Sequence, residues 1–235
     1  MKNYDVIVIG AGHAGVEAAI ASNRIGAKTA LVSFSKDDLG IMSCNPAMGG
    51  LGKGHLIREI DAMGGVIGRA SDSSGIQFRM LNKTRGEAVQ GPRAQIDREK
   101  YKKNIRFFVK ESGVEILESE VKNIITTKKA GGAYVQGIET STLGKIFCKS
   151  LIVTTGTFLS GVIYRGPEKW EAGRLNSKPS MDLALFLKNE KFKMYRLKTG
   201  TPPRIDGKSI DYSKCVVQEG DKNPEPFSFL NDKIE

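Results

Sequence analysis

The feature that most constrains this chain is a glycine-rich turn near its N-terminus, set between an apolar run and an Ala-rich helical pattern. Residues 6–9 (VIVI) form a short continuous apolar run, which is typical of a strand buried on both faces of a parallel sheet. Gly10, Gly12 and Gly15 follow in the spacing G-x-G-x-x-G, and a second apolar run, KTALVSF, comes after the helix. This order predicts a βαβ unit, the setting in which the motif binds a dinucleotide pyrophosphate.

Each glycine of this turn has a separate expected role. Gly10 permits the tight turn, Gly12 lets the backbone approach a pyrophosphate, and Gly15 lets the helix pack on the strand. The helix N-terminus adds N–H donors and a partial positive charge. The residues expected to hold the cofactor here are those of the whole turn: Gly10, Ala11, Gly12, His13, Ala14 and Gly15.

Two observations bear on which dinucleotide binds. The second strand ends in Ser33–Lys36 (SFSK), where NAD sites usually carry an acid, and acids follow only at Asp37 and Asp38. The segment LIVTTGTF then supplies a late strand ending in Thr155 and Gly156, as in flavoproteins with two dinucleotide-binding domains, where such a strand closes over the flavin. FAD is therefore favoured over NAD, with Thr155 and Gly156 at its site.

The pattern as a whole predicts an α/β protein with a Rossmann-like FAD-binding domain of the two-dinucleotide-binding flavoprotein type, carrying a β-meander insertion. We expect this domain to occupy residues 1–200 incompletely, with the meander at about 115–150. Residues 201–235 are expected to begin a second, truncated domain. A helical apolar period is predicted over about residues 53–63, followed by a polar segment up to about Pro92 and a basic amphipathic helix at roughly 95–111.

A second glycine-rich stretch, GIMSCNPAMGGLGKGH at residues 40–55, contains the chain's most reactive candidate, Cys44. The stretch is not a P-loop, because Lys53 precedes Gly54 and position 47 is alanine. Cys44 precedes glycines that open a helix, whose free N–H groups would stabilise a thiolate. A buried, inert thiol fits the residues equally well. Both interpretations stay open on chemistry alone.

The other cysteines, the net charge and the apolar pattern of the sequence limit the functions that this chain can have. Cys148 lies in a strand pattern and is expected to be core, Cys215 has no assigned role, and no residue cluster has metal-ligand spacing. The formal net charge of +10 favours a polyanion such as RNA, although a merely basic surface explains it too. With no signal peptide or membrane-spanning pattern, we expect a cytoplasmic protein without a membrane partner.

Five stretches together resemble the glucose-inhibited division protein A family, the tRNA uridine 5-carboxymethylaminomethyl modification enzymes. They are DVIVIGAGHAGVEAA, MSCNPAMGGLGKGHLIREIDAMGG, GIQFRMLNKTRGEAVQGPRAQIDR, TTGTFLSG and RLKTGTPPRID. The resemblance runs from about residue 4 to residue 235.

The resemblance implies that FAD occupies the Rossmann site, that NADH reduces it, and that methylenetetrahydrofolate donates the one-carbon unit. With a partner tRNA-modification GTPase, such an enzyme modifies carbon 5 of the wobble uridine of certain tRNAs. By this match Val121 and Ser180 also contact FAD. Cys44 matches a family cysteine thought to be catalytic, which adds to the uracil ring beside the flavin.

Family members are longer than this chain, so the resemblance implies a fragment that has little activity alone. The NADH site is expected mostly beyond residue 235, and the full-length protein is expected to be a homodimer. Two other functions stay open: a folate-dependent tRNA uridine methyltransferase-type flavoprotein, and a non-catalytic RNA-binding or assembly module built on the basic helix.

Overall fold

The computed structural model describes residues 2–203 and 205–234. The strands in this part are β1 (Asn3–Ile9), β2 (Thr29–Ser33), β3 (Ala47–Gly49), β4 (Gly75–Leu81), β5 (Gly91–Ile96), β6 (Glu115–Glu118), β7 (Val121–Lys129), β8 (Gly132–Thr140), β9 (Gly144–Val153), β10 (Val162–Arg165) and β11 (Glu168–Glu171). The helices are α1 (His13–Arg24), α2 (Lys53–Ala62), α3 (Ile67–Asp72), α4 (Arg98–Glu111) and α5 (Asp182–Asn189).

The chain divides into two units, each assembled from two separate stretches of sequence. The first unit comprises residues 1–41 and 105–195, and the second comprises residues 42–104 and 196–235. This differs from the division expected at residue 200. Residues 42–104 form their own sheet, and the segment after 196 is hydrogen-bonded to it, so both belong to the second unit.

The first unit is built on a sheet whose strand order is β6-β2-β1-β9-β8-β7. The first three neighbouring pairs, β6-β2, β2-β1 and β1-β9, are parallel, and the remaining pairs are antiparallel. Helix α1 packs on β1 and β2, which confirms the βαβ unit. Continuous apolar strands such as β1 and β2 suit this arrangement because helix and meander cover their two faces.

The β-meander of β7, β8 and β9 lies over the face of the parallel strands opposite α1. One buried cluster joins Ile7 and Val32 of the parallel strands to Ile124 and Ile138 of the meander. The turn between β8 and β9 reaches the carboxyl end of β6, where Ser119 and Ser141 share a hydrogen bond of 3.2 Å between their hydroxyls. The expected α/β class with a Rossmann-like unit and a meander is confirmed.

The second unit holds an antiparallel three-stranded sheet in the order β3-β5-β4. Helix α2 packs on β3 and β5, around the fully buried Met48. The helix predicted from the apolar period over about residues 53–63 is confirmed by α2. The polar segment expected after it, up to about Pro92, contains β4 and the start of β5, whose glycine, proline and arginine residues weaken the local strand pattern.

The predicted basic helix exists as α4, shorter at its start than expected because Ile96 ends β5. Its buried side chains Tyr101, Ile105 and Val109 recur at helical spacing, as predicted. Among the residues that the structure describes, no helix has both the length and the apolar composition that crossing a bilayer requires.

Candidate functional site

The glycine turn of the first unit is closed by backbone contacts. Gly10, at φ 104°, donates its N–H to the carbonyl of Val32 at 2.8 Å. The hydroxyl of Thr154 donates to the carbonyls of Ile9 at 2.8 Å and Gly10 at 3.1 Å. The carboxyl ends of β1, β2 and β9 therefore meet at this turn, the edge of a parallel sheet where ligands bind.

The amino end of α1 has the features of an anion site. Gly12 is its N-cap, no side chain caps the helix, and none of the described residues in its first turn is acidic. A Cβ built on Gly12 meets no described atom within 4 Å, so the backbone here faces open space. The free N–H groups and the helix dipole favour a phosphate at this position. Ala11 is buried beside this surface, while His13 is half-buried and Ala14 is exposed.

The structure brings Thr155, Gly156 and Ser180 to the same edge of the sheet. Thr155 and Gly156 directly follow Thr154 and begin the short 3-10 turn that ends at Phe158. Ser180 donates its backbone N–H to the carbonyl of Phe158 at 2.8 Å and is buried. These residues therefore lie next to the glycine turn.

Val121 occupies a different kind of position. It begins β7, two residues after Ser119, whose N–H is bonded to the carbonyl of Ser33 at the end of β2. Its side chain belongs to the hydrophobic core between the sheet and the meander. Any contact of Val121 with a cofactor at this edge would therefore involve its backbone groups.

Asp38, the second of the two acidic residues after β2, accepts hydrogen bonds on both of its carboxylate oxygens. One oxygen of Asp38 accepts from the hydroxyl of Ser33 and the N–H of Ser35, both at 3.1 Å. Its other oxygen accepts from Arg174 at 2.7 Å, and both side chains of this pair are largely buried. Asp38 is thus a helix cap and ion-pair partner, and neither oxygen is left free for a ribose.

Cys44 lies in the second unit, on the loop before β3. Its Sγ is 3.4 Å from the hydroxyl oxygen of Thr201 and 3.6 Å from the carbonyl oxygen of Gly200. Helix N–H groups were expected beside this thiol. Instead β3 intervenes before α2, and the loop N–H of Gly50 is bonded to the carbonyl of Pro92.

The cation near Cys44 is Lys53, the first residue of α2. Desolvation lowers the pKa of Lys53, and the charge of Cys44 acts in the opposite direction. In the sequence, Lys53 stood out only as a possible P-loop lysine, and no local pattern would have connected it with Cys44.

An open groove of about 720 Å³ runs beside the thiol. Its lining residues are Cys44, Pro46, Ile96, Asp97, Arg98, Glu99, Pro202 and Pro203. Apolar walls with a few polar groups are typical of small-molecule sites. Pro202 and Pro203 belong to the stretch TGTPPR, which in the sequence contributed only to a family resemblance. Among the described residues, no group of three or more acidic, histidine or cysteine side chains is placed to hold a metal ion.

Comparison with known proteins identifies the family. The family model described as "Glucose inhibited division protein A" matches residues 5–235. The chain belongs to this family. A curated member from Aliarcobacter butzleri (strain RM4018), named tRNA uridine 5-carboxymethylaminomethyl modification enzyme MnmG, is 46% identical over 232 residues. A protein of the same name from a Nitratiruptor species is 48% identical over 231 residues.

The family match covers nearly all of this chain and part of its relatives. The Aliarcobacter alignment includes 98% of this chain and 37% of the relative, so the chain spans about 37% of that length. Among solved structures, Aquifex aeolicus GidA (form II crystal) matches with a TM-score of 0.90 at 45% identity, over 98% of this chain and 38% of that one. A GidA-related protein from Thermus thermophilus shares the fold, with a TM-score of 0.55 at 16% identity, over 81% of this chain and 69% of that one.

Proposed function

We propose that this chain supplies the flavin-binding and nucleophile-bearing part of an enzyme that adds a carboxymethylaminomethyl group to carbon 5 of the tRNA wobble uridine. The observation that carries the proposal is family membership over residues 5–235, together with near relatives named for this reaction. The dinucleotide turn and a thiol beside a groove provide the two kinds of site that such an enzyme needs.

FAD is the proposed occupant of the glycine turn. The residues present fit its pyrophosphate, because Gly12 exposes bare backbone to open space at the uncapped N-terminus of α1. The turn from Gly10 to Gly15 would hold the phosphates, with Thr155, Gly156, Ser180 and the backbone of Val121 completing the site. Bound FAD would supply two-electron redox chemistry, NADH the reducing equivalents and methylenetetrahydrofolate the one-carbon unit.

Cys44 is the proposed nucleophile. As a thiolate it would form a bond to carbon 6 of uracil, and the electron pair of the C5=C6 double bond would move towards carbon 5 and O4. Carbon 5 then becomes nucleophilic towards the one-carbon unit. The open groove beside the thiol gives the base access to it.

The remaining parts of the proposal concern the whole enzyme. tRNA is the proposed substrate, and the net charge of +10 is suited to it. A tRNA-modification GTPase is the proposed partner, the full-length protein is proposed to be a homodimer, and the cytoplasm is its proposed location.

The proposal is tested in a bacterium whose own family member has been deleted. The gene containing this chain is supplied intact or with Cys44→Ser, and wobble nucleosides are measured by mass spectrometry of digested tRNA. The intact gene should restore the modified uridine, and Cys44→Ser should not. Cys215→Ser is the matched control, because its thiol is exposed and Cys215 is not among the residues that line the groove. Restoration by Cys44→Ser, or a purified protein that binds RNA but takes up no flavin, would contradict the proposal.

A further inference from the structure

We infer that the groove beside Cys44 is a pocket for a pyrimidine base extruded from RNA, and that Asp97 and Arg98 make it select uracil over cytosine. The inference rests on the proposed function for the identity of the polymer. Its structural basis is independent of FAD, since every group involved lies in the second unit.

The walls of the groove are suited to a flat ring. Pro46, Ile96, Pro202 and Pro203 present apolar surface around the thiol, and the space is larger than one pyrimidine requires. Enzymes that act on a base inside structured RNA must take it out of the stack and enclose it in such a pocket. The open side of the groove would admit the attached ribose and phosphates.

Arg98 lines this groove, and within the described part of the chain its guanidinium group has neither a hydrogen-bond partner nor an ion-pair partner; its Nε is buried. Arg98 is also the first residue of α4, where the helix dipole disfavours a cation. Neither helix stability nor an internal partner therefore accounts for this arginine. We therefore assign the guanidinium group of Arg98, as a residue that lines the groove, to an acceptor on a ligand.

Asp97 provides the complementary acceptor. Its Oδ1 accepts the N–H groups of Glu99 at 3.0 Å and Lys100 at 3.1 Å, which fixes the carboxylate at the start of α4. Its Oδ2 has no hydrogen bond to any described residue. The carboxylate is thus held rigidly by one oxygen while the other is available at the groove.

This acceptor and donor pair matches the Watson–Crick edge of uracil. Uracil presents the N3–H donor next to the O4 acceptor, so N3–H would donate to Asp97 and O4 would accept from Arg98. Cytosine presents an N3 acceptor and an N4 amino donor, which would face the carboxylate and the guanidinium with the wrong polarity. The same Arg98 contact would stabilise negative charge at O4 when Cys44 adds to carbon 6.

The test measures protection of Cys44 from alkylation, which requires neither FAD nor turnover. The 235-residue chain carrying Cys215→Ser is treated with iodoacetamide in the presence of two RNA stem-loops that differ only in U or C at one loop position. Labelling at Cys44 is followed by mass spectrometry. We expect the U stem-loop to protect at a concentration about tenfold lower than the C stem-loop.

Two substitutions connect this selectivity to the proposed residues. Arg98→Met should weaken protection by the U stem-loop about tenfold and largely remove the U-over-C difference. Lys100→Met is the matched control, since it removes the same charge from the same helix but does not line the groove. It should affect both stem-loops equally and only slightly. Asp97→Asn, which retains a capping oxygen and adds an amino donor, should shift the preference towards cytosine.

Three results would overturn the inference: no protection by either stem-loop, equal protection by both, or an Arg98→Met protein that behaves like Lys100→Met. The alkylation rate of each variant without RNA, compared with the parent, reports whether the groove is still folded. U-selective protection in a protein that fails to restore tRNA modification would leave this inference standing while the proposed function fails.

Discussion

Gly15 on α1 lies directly against Gly10 at the end of β1: a Cβ on Gly15 would be 1.7 Å from the carbonyl oxygen of Gly10. The close approach of helix and strand therefore depends on a hydrogen atom at position 15. Gly12, three residues earlier, has φ −74°, and a Cβ placed on it would meet no described atom within 4 Å. The two glycines are thus required for different reasons.

This difference predicts opposite behaviour for two alanine variants. Gly15→Ala should lower the free energy of unfolding by about 2 kcal/mol or more, because the helix must move away from the strand. Gly12→Ala should change it by less than about 0.5 kcal/mol but weaken FAD binding, since the methyl group occupies the space proposed for the pyrophosphate. Urea unfolding and flavin titration separate the two effects. Equal loss of stability in both variants would contradict this account.

Asp38 is predicted to be structural. Asp38→Asn should cost about 1–2 kcal/mol in urea unfolding, because the capping bonds weaken and Arg174 loses its buried counter-ion. Asp37→Asn is the matched control, since the Asp37 side chain is 79% exposed in its ion pair with Arg106. That variant should cost less than about 0.5 kcal/mol. A loss of unfolding free energy that is larger for Asp37 than for Asp38 would refute the assignment.

Asp72 is predicted to make stability depend on pH. Burial raises the pKa of Asp72 above 3.8, and the charge of Asp61 adds to the rise, while hydrogen bonds from Ser228, Phe227 and Asn231 oppose it. A raised folded-state pKa gives stabilisation that is complete below the unfolded pKa and is lost as pH rises through the folded one. The unfolding free energy of the parent minus that of Asp72→Asn should therefore fall as pH rises above about 4. A difference that grows with pH would contradict the assignment.

The three cysteines should react at different rates with iodoacetamide. Cys148 is buried in β9, and this burial raises the pKa of its thiol, so it should label only after denaturation. Cys44 and Cys215 are accessible and should label in the native protein. Peptide mass spectrometry with and without urea distinguishes the sites. Rapid native labelling of Cys148 would show that the meander does not pack as described.

The family, the βαβ unit and the position of Cys44 in a glycine-rich loop were all accessible from the sequence. Each rests on residues that are neighbours along the chain: the strand, turn and helix around Gly10, and the run that begins at Cys44. Local spacing carries this information because tight turns and helix starts are short-range structures. The helical period likewise predicted the buried face of α4.

Only the tertiary structure decided the roles that depend on distant partners. Asp38 is an ion-pair partner rather than a free acid because Arg174, 136 residues later, donates a hydrogen bond to it. Cys44 lies beside Thr201 because residues 196–235 belong to the same compact unit as residues 42–104 and are hydrogen-bonded to them. Local periodicity does not predict such pairings, because burial and hydrogen bonding between remote segments are determined only when the chain has folded.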